Sequence, residues 1–142
     1  MTIESTHLRR ATELDGSVTD DWLVVLPDDV EVLVRGTAAG PDEAALRLAN
    51  LVLGSLDAVV DRAVRLLGAL LRGEGTWSLG GVDVAGAARQ QGCDVVLDFS
   101  FEADDAPFED FYALYSVCFS VDERRPAPLD APHPFKVVVE YR

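Results

Sequence analysis

From Ala49 to Leu70 the chain places apolar residues every third or fourth position: Ala49, Val52, Leu56, Val59, Ala63, Leu66 and Leu70, with Leu53, Val60 and Leu67 widening the stripe. That period belongs to an α-helix that buries one side. Glu43, Arg47, Asn50, Gly54, Asp57, Asp61, Arg65 and Arg72 fall on the other side. Upstream, Gly40-Pro41-Asp42-Glu43 offers a proline where a first turn has no N–H to lose and two carboxylates beside free backbone donors. Downstream, Gly73 supplies a stop. The stripe keeps its phase across Gly54-Ser55, so the pattern predicts one helix over residues 41–72, bent at most, roughly 48 Å long. The same spacing fits a heptad, but the apolar side is wider than a two-position seam needs. Packing on the chain's own sheet is therefore expected.

The other strong period is two. Trp22–Leu26 and Val30–Arg35 are β-prone runs separated by Pro27-Asp28-Asp29, which predicts an antiparallel hairpin with proline at the second turn position. Thr76–Leu79 reads as a short strand entering a turn at Gly80-Gly81, with Val82–Val84 leaving it. Val95, Leu97, Phe99 and Phe101 alternate with Val96, Asp98, Ser100 and Glu102. Phe111, Ala113, Tyr115, Val117, Phe119 and Val121 alternate in the same way with Tyr112, Leu114, Ser116, Cys118, Ser120 and Asp122. These patterns assign the odd-numbered side to a core shared with the helix and leave the reverse side partly wet. Phe135–Tyr141 gives a last strand that suits a sheet edge. The expected fold is thus α+β, a single domain over residues 1–142 in which one long helix packs across a mainly antiparallel sheet.

The remaining stretches are connections. Residues 1–21 are charged, with a turn signal at Asp15-Gly16, and suit a partly flexible terminus, a short strand over His7–Thr12, or both. Ala85–Gln91 suits one helical turn, Ala103–Asp110 is an acidic loop, and the prolines from Pro126 to Pro134 favour an extended surface segment.

Composition sharpens this. In 142 residues, 25 acidic side chains face 12 basic ones, a formal net charge of −13. Such a surface disfavours nucleic acid and anionic membranes and favours steering toward a basic partner. No basic-then-apolar N-terminal signal and no apolar run near the ~20 residues of a membrane span is present, so a soluble, cytoplasmic protein is expected. Cys93 and Cys118 form no close metal-ligand spacing and sit in or beside apolar strands, as reduced buried thiols do, with a cross-strand disulfide the alternative for an exported chain. The glycines match neither a phosphate loop nor a dinucleotide fingerprint, and no cofactor or metal is implied.

Candidate chemistry is sparse. Ser116, Ser120 and Cys118 lie in no nucleophile-elbow pattern. Asp98 and Glu102 share the polar side of one strand and, with His133, are the candidate groups of a small carboxylate-dependent hydrolase. A non-enzymatic protein-interaction module needs fewer coincidences. Its candidate surface joins Asp98, Glu102, Tyr112, Ser116 and Ser120 to the acidic loop residues Asp104, Asp105, Glu109 and Asp110. An inhibitor or immunity protein is similar in size and acidity, though no family signature is present. A structural homodimer through an overhanging part of the helix is the third expectation.

Overall fold

The computed structural model describes residues 2–70, 74–85, 93–104, 113–120 and 133–141. Seven strands form one continuous sheet in the order β1 (Arg9–Thr12), β2 (Val18–Val25), β3 (Glu31–Thr37), β5 (Gly75–Val84), β6 (Val95–Ala103), β7 (Ala113–Ser120) and β8 (His133–Tyr141). The two-residue β4 (Gly40–Pro41) pairs with β3 off this path. Every pairing is antiparallel except β3 with β5. Parallel neighbours need a long crossover, and the helical region supplies it.

That region is two helices, α1 (Glu43–Gly54) and α2 (Leu56–Leu70), rather than the single helix predicted. Ser55 leaves helical geometry at φ −133° and ψ 35°, and its N–H bonds the Val52 carbonyl at 3.2 Å in a tightened turn. The Ser55 carbonyl then accepts the Val59 N–H at 3.1 Å and opens the second helix. The start also lies later than predicted. Pro41 belongs to β4, and Asp42 caps α1 by accepting the Ala44 and Ala45 N–H groups at 2.8 and 3.2 Å.

α1 lies over β3 and β5, while α2 reaches β8. The helices bring Ala45, Leu48, Ala49, Val52, Leu53, Val59, Ala63 and Leu67 onto the sheet. The sheet answers with Val32, Val34, Val82, Val84, Val95, Leu97, Phe99, Val117 and Phe119. In β6 and β7 this is the predicted odd-numbered side. Leu70, by contrast, is 61% exposed, because α2 turns its buried line through Val59, Ala63 and Leu67. Ile3 and Leu8 complete the core ahead of β1. Ile3 is tied to α1 by a reciprocal pair of bonds with the Asn50 amide, at 2.7 and 3.0 Å. Asn50 is therefore half-buried rather than on the open side of the helix.

Gly80-Gly81 does not end a strand. β5 runs through it, and the register to β6 passes from Leu79–Phe99 to Gly81–Asp98, so Gly80 is an extra residue taken up as a bulge. The bulge moves the core side of β5 from Trp77 and Leu79 to Val82 and Val84. The β2–β3 hairpin forms as predicted. Leu26 N–H reaches the Val30 carbonyl at 2.9 Å, and Asp29 sits at φ 61°. The helical turn over Ala85–Gln91 (beyond Ala85), the loop residues after Asp104, and Phe111, Val121 and Asp122 lie outside the described residues.

Candidate functional site

The helices cover one side of the sheet, and Asp98, Glu102, Ser116 and Ser120 stand on the other. Strand register fixes two neighbouring rows there. One runs Glu31, Gly81, Asp98, Ser116, Val138, and the next runs Leu33, Asp83, Val96, Cys118, Lys136. This reverse side is drier than its alternation predicts: Val96 and Cys118 are 3% and 0% exposed and cluster with Cys93. Neither Cys93 nor Cys118 is in a disulfide.

Asp98 and Ser116 are direct register partners, and the Ser116 hydroxyl donates to Asp98 Oδ1 at 2.6 Å. Ser116 is buried and Asp98 half-buried, so this carboxylate is held in place and partly screened from water. On the other side of Asp98 stands Gly81. With no side chain there, the strands leave a shallow groove of about 220 Å³ whose walls include Glu31, Leu33, Asp83, Asp98 and Leu114. A Cβ on Gly81 would meet the Glu31 carbonyl at 3.5 Å and Asp98 Oδ2 at 3.7 Å, which is ordinary contact. Filling the groove is thus sterically permitted.

Glu31 and Leu33 also wall a broader depression of about 590 Å³ over β1, β2 and β3, which takes in Arg9, Asp21 and Leu23. Asp21 faces Arg35 across the β2–β3 pair. Burial raises the Asp21 pKa above its ordinary 3.8, Asp20 adds to the rise, Arg35 opposes it, and Glu13 adds a little more. The open side is therefore a partly dry surface with leucines at its floor and carboxylates at several depths.

The predicted site residues are only partly brought together. Asp98 and Ser116 touch. Glu102 and Ser120 are exposed on the same side, but β6 and β7 are antiparallel, so Glu102 lies toward one end of the sheet and Ser120 toward the other. Asp104 follows β6 and is exposed, its N–H bonded to the Glu74 carbonyl at 3.0 Å. Asp105, Glu109, Asp110 and Tyr112 lie outside the described residues. His133 is the register partner of Ser120, which separates it from Glu102 by about 26 Å along the strands. The register thus does not converge Asp98, Glu102 and His133. Among the described residues no group of three or more His, Cys, Asp and Glu side chains is arranged to hold a metal ion.

Nothing local in the sequence marks Glu31, Gly81 or Asp83 as site residues. Asp83 between two valines reads as the exit of a turn, and Glu31 as one polar step in a hairpin strand. Only the parallel β3–β5 pairing and the bulge set them beside Asp98.

No family model matches the chain, and neither a curated protein nor a solved structure matches it. Among the described residues no helix is long and apolar enough to cross a membrane.

Proposed function

We propose that this chain is a non-enzymatic protein-interaction module that receives a basic polypeptide on the side of the sheet away from the helices. The observation that carries this reading is the Asp98–Ser116 bond at the edge of the Gly81 groove. A carboxylate already half removed from water and fixed by a hydroxyl loses less freedom when a cation arrives than a free surface carboxylate does. Leu33 and Leu114, both half-buried in the same groove, give the partner's aliphatic stems something to cover. The net charge of −13 supplies long-range attraction, while the groove supplies register. An inhibitor or immunity protein acting on a basic target is the finer form of the same reading.

The test is a titration of ¹⁵N-labelled chain with an arginine-rich peptide at low and physiological salt. Expected are amide shifts concentrated at Glu31, Gly81, Asp98 and Ser116, which weaken as salt rises and are lost in Gly81→Val. Shifts spread over all exposed carboxylates and indifferent to Gly81→Val would reject the groove as the recognition surface.

A further inference from the structure

The two ends of the sheet are built differently. β1 has four residues, a register shift between Arg10 and Thr12, and two arginines, all of which discourage another strand from adding to it. β8 has nine residues, and its register irregularity is confined to its start, opposite Cys118 and Phe119. From Lys136 to Tyr141 it is regular, and among the described residues no strand pairs with its far edge. Val137 and Val138 are half-buried and Val139 is 39% exposed, so the strand carries apolar residues to that edge on both sides of the sheet.

The sequence of β8 adds a second, independent feature. Within the regular part of the strand, Lys136-Val137-Val138-Val139-Glu140 is complementary to itself when a second copy runs antiparallel with Val138 at the centre. Residue 136 then stands opposite 140 and 137 opposite 139. The chain's single lysine meets a glutamate twice, and valine meets valine. Opposite charges and apolar or aromatic residues directly across a ladder are the favourable cross-strand combinations. A parallel pairing in register would instead set Lys136 on Lys136 and Glu140 on Glu140.

We propose that β8 is a homodimerisation edge, which pairs with β8 of a second copy about a two-fold axis at Val138 and joins the two sheets into one. A C2 contact of this kind uses the same patch on both copies, as the self-complementary run requires. The −13 charge on each copy opposes the approach, but at physiological ionic strength that repulsion is screened beyond about 8 Å, whereas the Lys136–Glu140 pairs act at contact. The seam is independent of the groove at Gly81, so either proposal can fail alone.

The experiment is sedimentation analysis of the full chain at physiological salt, with circular dichroism to confirm folding of each variant. The unaltered chain is expected to reach twice the monomer mass. Lys136→Glu and Glu140→Lys each set like charges across the seam and are expected to raise the dimer dissociation constant at least about tenfold. An equimolar mixture of the two variants restores opposite charges and is expected to form a heterodimer, and the double swap K136E/E140K to recover the homodimer. If one single variant does not fold, the double swap and the other single variant still decide. A monomer at every concentration, a dimer that both single variants leave intact, or no recovery in the mixture and the double swap overturns the proposal.

Discussion

At the scale of single residues, backbone proximity and local charge set the constraints. Gly36 is buried in β3 where a Cβ would collide with the Gly40 carbonyl, the Trp22 ring and the Pro41 backbone. Two of these three obstacles are main chain and cannot rotate away. Gly36→Ala is therefore expected to lower stability by about 2 to 3 kcal/mol, read as a fall in urea midpoint. Asp21 shows the electrostatic counterpart. Because its folded pKa lies above the ordinary 3.8, the folded state binds the proton more tightly than the unfolded chain. Its contribution to stability is present below the unfolded value and is lost as pH rises through the folded one. At neutral pH the ionised side chain opposes folding, so Asp21→Asn is expected to melt higher than the unaltered chain at pH 7. That advantage should shrink as pH falls through the folded pKa and be gone below 3.8, and a difference constant across pH would show that the carboxylate's burial is not its cause.

At the scale of elements, the sequence shows what repeats and hides what interrupts. The period of 3.6 located the helical region, and the period of two located the core side of β6 and β7, because both follow from burying one side of a regular structure. Ser55 interrupts the helix without breaking the apolar phase, so no hydrophobic signal marks it. Gly80 likewise interrupts β5 while its neighbours stay paired, because a glycine pair carries the same signal for a bulge as for a turn. Propensity makes a separate prediction for α2. Gly68 is exposed, and a Cβ there meets nothing within 4 Å, so its only effect on the helix is conformational freedom. Gly68→Ala is expected to raise stability by about 0.8 to 1 kcal/mol with an unchanged denaturant slope. A larger gain would mean that the methyl group makes contacts in the folded state.

At the scale of the whole molecule, the acidic composition was legible from the start, but its arrangement was not. Asp98 and Ser116 were placed on one side by alternation within their own strands, and that side was correct for both. Their neighbours Glu31, Gly81 and Asp83 come from strands joined across the helical crossover, and no local pattern reports which strands lie side by side. The excess of 25 acidic over 12 basic residues acts on folding and on recognition with opposite signs. Compacting the chain brings like charges together, so raising ionic strength from about 0.01 M to about 0.15 M, which shortens the screening length from about 30 Å to about 8 Å, is expected to raise the melting temperature. The same change removes attraction toward a cationic peptide and is expected to weaken its binding. Melting temperature and peptide affinity measured across one salt series therefore separate the two roles of the charge. If both rise together, attraction between opposite charges does not hold the peptide, and the apolar floor around Leu33 and Leu114 must carry the recognition instead.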